Sequence, residues 1–570
     1  MNTRCGEIGF IMWRKIQAGL CWSAAGALLL MLAACSGGDS TPLPSMNVTV
    51  SGTVTYEDRS YGARGFTGDT AYKSLRYAVV DLVDAGGDII ASTATDDTGH
   101  YSLQGQGSGL YVRVLSQTTA DAGTTISVNT FSGDAFAIAQ SLKEDADGEV
   151  ALDFPISLNN SIAGVFNMLD VYTNASLFVA SLSTVALPDM KVFWQSASSS
   201  YGTYFCPASY NGGPCPQGKG IYILGGSSSG GDTDEYDDDV LMHEYGHYVE
   251  MTLGVRDSPG GTHYLTDNDD DLRLAWSEGW GGFFPAALKS WLKAHHPERL
   301  SSIASLPTSY FVDTYGSMAS ISINMASPNA WFCPGGSDCF TYSTSEVSVA
   351  KVLSGLQQTF GMQAVWDVMS GYMAHGTALP ATLETFWDGW LQQRAPGTEE
   401  LQQLQDIFGE RQVFYREDDY EADSSIGSAR PLTVCAALPC AEQQHYLYRD
   451  NQTADSDLFA VTLNAGRRYV IETLDLSNGA DTYLRLLDQY GNPVVNDSGQ
   501  VLADDDRPGT SYCYPYDNPC RIHYDDTMLS SAISFTPSVS GTYYVEVKTS
   551  PDHPVGAGRY GTYSIRARRL

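Results

Sequence analysis

The hydrophobic period of this chain changes twice, and that constrains its fold more than any single residue does. From Met46 to Ile156 apolar and polar residues alternate, as in Val48-Thr-Val-Ser-Gly-Thr-Val-Thr-Tyr56 and Tyr111-Val-Arg-Val-Leu115, the pattern of strands with one buried face. At Ile162-Ala-Gly-Val-Phe-Asn-Met-Leu-Asp-Val-Tyr172 the spacing becomes helical, and helices are expected to about Phe414, interrupted by the Gly/Ser loop 225–231. A polar stretch, 416–430, then serves as a linker before alternation returns through Leu570. The expectation is a multidomain α+β protein: an N-terminal β-sandwich over 46–156, a helix-rich centre over 157–415 and a C-terminal β-sandwich over 431–570. A length of 570 residues accommodates such an arrangement. Lys and Arg number 32 against 66 Asp and Glu, a net charge of −34 that repels a nucleic-acid backbone and excludes nucleic acid as a partner.

The amino terminus reads as an address. Arg4, Arg14 and Lys15 precede a short apolar run, Ala24 to Leu32, that closes in Leu32-Ala33-Ala34-Cys35. This resembles the bacterial lipobox, which implies a signal peptide over 1–34, lipidation of Cys35 and a polar tether over 35–45. The implied location is the cell envelope, at the outer membrane or the cell surface. No other segment has the ~18 uninterrupted apolar residues of a spanning helix, so membrane attachment is expected through lipid alone. Eight further cysteines form four local pairs, Cys206/Cys215, Cys333/Cys339, Cys435/Cys440 and Cys513/Cys520. The two-residue separation of zinc knuckles is absent from them, and disulfides in an oxidising compartment are the simplest account.

One strong chemical signal lies in the helical centre. In His243-Glu244-Tyr245-Gly246-His247 the two imidazoles are four residues apart, so a helix puts them on one face where they can grip one zinc ion, with Glu244 beside the attacking water. Asp232 or Thr233 can cap that helix, Asp234, Glu235 and Asp237 suit its positive end, and Gly254 offers a stop. A catalytic zinc needs a third protein ligand. No histidine follows His247 closely, but Ala275-Trp-Ser-Glu278-Gly-Trp-Gly-Gly282 supplies Glu278 on a second expected helix. The chain here resembles the gluzincin metallopeptidases with a Glu-Gly-Trp motif, such as the fungalysin-like enzymes. The resemblance implies a zincin-like domain, zinc held by His243, His247 and Glu278, Glu244 as general base, and a protein or peptide substrate. Related enzymes place an Asp four residues after the ligand Glu, where this chain has Gly282; Asp267, Asp269, Asp270 and Asp271 are open candidates for orienting a ligand histidine. His263 is the expected donor to the oxyanion, with Tyr264 as its alternative and Tyr342 and His375 in reserve.

The flanking regions carry weaker resemblances. Thr95-Asp-Asp-Thr-Gly-His-Tyr-Ser-Leu103 is similar to a turn of the carboxypeptidase-regulatory-like, transthyretin-type sandwiches. Asp455-Ser-Asp-Leu-Phe-Ala-Val-Thr-Leu-Asn-Ala-Gly466, Ala480-Asp-Thr-Tyr-Leu484 and Ser540-Gly-Thr-Tyr-Tyr-Val-Glu-Val547 occur in order and resemble the bacterial pre-peptidase C-terminal domain, which implies a jelly-roll-like β domain. His295 and His296 read as residues favouring a helix end. The acidic run Asp234–Asp239 reads as a solvated helix start, with calcium recruitment as its alternative, and Asp504, Asp505, Asp506, Asp525 and Asp526 leave calcium and ordinary turn chemistry open. The expected function is therefore an exported, lipid-anchored zinc metallopeptidase. Its rival is a surface binding lipoprotein with a degenerate peptidase core. Cleavage preference and oligomeric state have no signature in the sequence.

Overall fold

A computed structural model describes residues 45–183, 186–197, 202–207, 215–225, 233–300, 309–315, 319–326, 340–450, 453–506, 522, 526–551 and 558–570. The signal segment, Cys35, Cys333, Cys339, Cys513, Cys520 and Asp525 lie outside the described residues. β-rich N- and C-terminal regions flank a helix-rich middle region. Among the described residues no helix is long and apolar enough to cross a membrane.

The long strand Met46–Gly62 organises the first region. Its first half pairs antiparallel with His100–Gly107, from Met46 opposite Gly107 to Thr53 opposite His100, and its second half pairs with Gly65–Ser74. Alternation fixes the faces: Val48, Val50, Val54 and Tyr56 are all buried, as period-2 geometry requires. A second sheet runs through Ile89–Ala94, Ala78–Val83, Tyr111–Thr118 and Ile126–Asn129. It then continues through Met190–Trp194 and Gly220–Ile223 to Tyr204–Cys206 at its edge. Ile126–Asn129, Met190–Trp194 and Gly220–Ile223 are mutually parallel neighbours, so long crossovers must join them. Helix α1 (Ala163–Leu182) lies in the first crossover. This sheet spans position 156, and one apolar core joins Val54, Val80 and Val128 to Phe166, Tyr245, Trp280 and the helices beyond.

α1 is buried along nearly its whole length, so its polar residues need internal partners. Asp170 accepts from Tyr56 Oη at 2.9 Å and pairs with Arg76 Nη2 at 3.1 Å. Burial alone would raise the Asp170 pKa, but the Arg76 and Arg299 guanidinium groups hold it below the ordinary carboxylate range.

The centre continues with α2 (Asp238–Leu253), α3 (Leu272–His295) and α4 (Glu346–Phe360). The acidic run ahead of α2 departs from the sequence reading, for Asp234, Asp237, Asp238 and Asp239 are all buried rather than solvated. Asp239 pairs with Lys289 Nζ at 2.6 Å and accepts Val312 N at 2.7 Å; Asp237 accepts Thr314 Oγ1 at 2.7 Å; Asp238 accepts Asn167 Nδ2 at 3.1 Å. The start of α2 is thus enclosed by α1, α3 and the strand Tyr310–Tyr315, and its carboxylates bind these neighbours together. Asp237 is the N-cap, accepting Val240 N at 3.5 Å, so the helix begins after the positions where Asp232 or Thr233 would cap it. Gly254 ends it as expected, in the left-handed region at φ 76°.

Among the described residues the C-terminal region contains two five-stranded sheets, one built around Asp457–Leu463, Gly541–Thr549 and Thr482–Leu487, the other around Gly561–Arg569 and Tyr469–Ser477. Phe459, Val461 and Val545 from the first sheet meet Ile471, Tyr563 and Ile565 from the second in a separate core. Disulfides join Cys206 to Cys215 and Cys435 to Cys440.

Candidate metal centre

Two helices meet with almost no side chain between them, and the motif residues explain how. A β-carbon on Gly246 of α2 would lie 3.3 Å from Gly281 Cα of α3, and one on Gly281 would lie 2.7 Å from His243 Cε1. Only glycine at 281 leaves the His243 ring its place. Gly279 faces the other way, where a β-carbon would lie 2.6 Å from Val349 and 2.8 Å from the Glu346 carbonyl of α4. Between these glycines Trp280 Nε1 donates to the Gly246 carbonyl at 3.0 Å, pinning α3 to α2. Pro285 lies inside α3 and cannot donate to the carbonyl of Gly281, one turn earlier.

The approach brings three ligand atoms together. His247 Nε2 lies 3.1 Å from His243 Nε2, and Glu278 Oε2 lies 3.2 Å from each. In a tetrahedral site with bonds of ~2.0–2.1 Å, ligand atoms are separated by about 3.3 Å, so the triangle has the dimensions of three corners around zinc. His243, His247 and Glu278 together could coordinate a divalent ion.

The three groups are also coupled electrostatically. Burial lowers the basicity of His247, but the Glu278 and Glu250 carboxylates outweigh it and hold its pKa up at about 10. Burial likewise opposes ionisation of Glu278, yet His247 and His263 drive its carboxyl well below the ordinary value. Glu244 occupies the next position on α2, buried, with Oε2 facing no hydrogen-bond partner.

Behind the ligands stand two residues that the sequence reading missed. Ser277 Oγ lies 3.3 Å from His247 Nδ1 and donates to Glu250 Oε2 at 2.7 Å, while Glu250 itself lies 3.5 Å from His247 Nδ1. Glu250 is three residues beyond His247 on the same helix, a spacing that brings side chains together and could have exposed its role. His243 Nδ1, in contrast, is buried without a partner. Gly282 leaves the position of an orienting carboxylate empty, and the four aspartates considered for it are not bonded to His243. Asp271 caps α3 through Arg273 N at 2.9 Å, and Asp267 accepts Tyr264 N at 2.9 Å. Asp270 is buried, and burial with the nearby Glu346 carboxylate pushes its pKa up to about 8.

His263 reaches the site by way of a residue with no sequence signal. Its Nδ1 lies 2.9 Å from Glu346 Oε2 on α4, and its Nε2 lies 3.9 Å from Glu278 Oε1. Burial lowers its pKa, but Glu346 and Glu278 hold it up at about 10. Tyr264 is 46% exposed, Tyr342 N donates to the Arg411 carbonyl and His375 is exposed near the end of the helical turn Val368–Gly376.

The tail carries its own acidic groups, with Asp423, His445 and Asp457 in one cluster and Asp481, Asp505 and Asp506 in another. No curated protein matches the sequence. Among solved structures, the chain is similar to the pre-peptidase C-terminal domain of collagenase from Bacillus anthracis. That match has 12% identity, covers 24% of this chain and 93% of that one, and has a TM-score of 0.15. It is also similar to a surface-associated copper-binding protein of Methylomicrobium album BG8, at 15% identity over 20% of this chain and 81% of that one, with a TM-score of 0.14. The family description of the bacterial pre-peptidase C-terminal domain matches residues 455–549, the stretch with the three quoted motifs, and the chain carries that domain at its C-terminus.

Proposed function

We propose that this chain is a zinc metallopeptidase, exported and anchored to the cell envelope through lipidated Cys35. The observation that supports it most is the convergence of His243 Nε2, His247 Nε2 and Glu278 Oε2 beside an unpartnered Glu244 carboxylate. A zinc ion there would supply Lewis acidity, polarising a peptide carbonyl and acidifying a water. The protein's own groups account for the remaining roles. Glu244 Oε2 has no internal bond to break, so it can receive the proton of the attacking water and return it to the leaving amine nitrogen. Ser277 and Glu250 hold His247 by Nδ1 and keep Nε2 pointed at the focus. Glu346 orients His263, whose Nε2 is the nearby donor for the negative charge that develops on the substrate oxygen. The pre-peptidase C-terminal domain accords with a peptide or protein substrate.

Glu244→Gln preserves shape and removes the base. Zinc content and folding should survive while peptide turnover falls by roughly 10²–10⁴-fold. His243→Ala, His247→Ala and Glu278→Ala should lose both zinc and activity. Retention of full zinc and activity by Glu278→Ala would overturn the ligand set. A zinc-loaded wild type that cleaves nothing in a diverse peptide library would make the chain the binding lipoprotein instead. Cys35→Ser should release the protein from membranes after a salt wash, and continued membrane partitioning would refute the anchor.

A further inference from the structure

We propose that Asp481, Asp505 and Asp506 form a binding site for a divalent cation of the calcium class in the C-terminal β region. Asp481 immediately precedes the strand Thr482–Leu487, and Asp505 and Asp506 immediately follow Ala503–Asp504. These strands are neighbours in one sheet, with Leu484 opposite Asp504, so the three carboxylates meet at the same end of that sheet. One oxygen from each lies within 4.8 Å of the other two.

Proximity of acids alone would not make a site; the burial does. Asp481 is 1% exposed, and its Oδ1 has no hydrogen-bond donor. Asp506 Oδ1 is likewise buried and unpartnered. Leaving such oxygens dry and unpaired is costly, because they have lost water without gaining a donor. Asp505 has a different setting, since its Oδ2 accepts Ser550 Oγ at 3.0 Å and is thereby oriented from the end of the strand Gly541–Thr549. Asp504 turns away to accept Ala532 N at 2.6 Å and does not join the cluster.

The donor chemistry selects the ion. All three groups are carboxylates, with neither imidazole nor thiolate, which favours a hard cation over zinc or copper. Calcium accepts ~6–8 oxygens in a flexible shell, whereas magnesium demands near-ideal octahedral geometry and keeps several waters, so carboxylates gathered from separate strands suit calcium. The site would tie the ends of three adjacent strands together, and its existence does not depend on the zinc reading of the central helices.

The test uses the zinc-loaded mature chain, titrated with calcium chloride and followed by calorimetric binding and thermal melting. The expected dissociation constant is on the order of 10⁻⁴–10⁻³ M, with melting of the C-terminal region raised by about 3–6 °C at saturating calcium. Asp481→Asn and Asp506→Asn should each weaken calcium binding at least about tenfold and abolish most of that rise. Each should also melt above the calcium-free wild type, because a carboxamide removes the repulsion; a merely structural aspartate would melt lower. His243→Ala, altered at the other site, should keep the calcium response. The proposal is overturned by no calcium effect in the wild type, by an unchanged response in whichever aspartate variants fold, or by an equal response to magnesium.

Discussion

On the N-terminal side the connection to the helical centre runs through backbone and core. Ile126–Asn129 pairs with Met190–Trp194 in one sheet, the apolar cluster passes without a break from Val54 to Trp280, and charged residues cross the junction fully buried, as in Arg76 with Asp170. On the C-terminal side each sheet ends within its own region, and that region has its own core, with Tyr560 alone of its fully buried apolar residues packed into the central one. Side chains make the junction. Arg559 Nη1 and Tyr560 Oη each meet Asp388 at 2.5 Å, Ser343 N donates to Asn478 Oδ1 at 2.8 Å, and Phe414 stacks on Tyr446 with centroids 5.0 Å apart. Two β-rich regions therefore stand in different relations to the centre. The first shares its folding unit, and the second is docked as a neighbouring domain through ion pairs, hydrogen bonds and stacked aromatic rings. One docking contact is close to the metal centre, since Ile522 N donates at 2.9 Å to Asp271, the N-cap of the helix that carries Glu278.

The largest expected effect is that of deletion. Removing 46–156 should leave a centre that does not fold, because it takes away one whole side of the shared sheet, including the strand that pairs with Met190–Trp194. Removing 431–570 should leave a folded centre that still binds zinc and cleaves short peptides. Circular dichroism melts and limited proteolysis of both truncations check this. A cooperative melt for the first, or global unfolding of the second, would erase the distinction.

Single substitutions sharpen it. Arg76→Ala strands Asp170 in the core and should cost about 3–5 kcal/mol. Arg559→Ala should cost only about 1–3 kcal/mol, because Glu384 keeps the backbone N–H donors of residues 559 and 560 and Asp388 keeps Tyr560 Oη. Denaturant unfolding of both variants compares them, and equal losses would show the C-terminal junction to be as integral as the other.

The smallest effect concerns pH. Burial and the Asp58 carboxylate push Asp238, at the N-terminal junction, up to about 7 from an ordinary 3.8. A carboxyl whose pKa is raised on folding contributes stability fully below its unfolded pKa and loses that contribution as pH rises through the folded value. Melting temperature should therefore carry a falling contribution from about pH 4 to about pH 8, between the ordinary and the folded pKa, and this contribution should be absent in Asp238→Asn. Parallel wild-type and variant profiles would remove Asp238 as the cause.

Much of this molecule was legible residue by residue. The alternation at Val48–Tyr56 and the helical spacing at Ile162–Tyr172 specify a local period, and period follows from side-chain direction alone. His243 and His247 share a face for the same reason, and Gly254 closes the helix because few other residues adopt its backbone angle so readily. The pre-peptidase motifs at 455–466, 480–484 and 540–547 mark the C-terminal domain by local sequence alone. Other features were illegible because they depend on distant partners. Asp237, Asp238 and Asp239 read as a solvated run, since nothing local announces that Lys289, Thr314 and Asn167 will enclose them. Glu346 has no motif, and meets His263 only because Gly279 lets α4 close on α3.

The sequence by itself determined the periods of the elements, the two histidines on one face and the glycines that allow close helix packing, all of which are set within a few residues by steric and directional rules. Only the tertiary structure decided that the second sheet continues past position 156, that Glu278 completes a triangle with both imidazoles, and that Ser277 and Glu250 stand behind one histidine while the other stands alone. These arrangements depend on which surfaces bury against each other, and burial is a property of the whole chain, not of any segment of it.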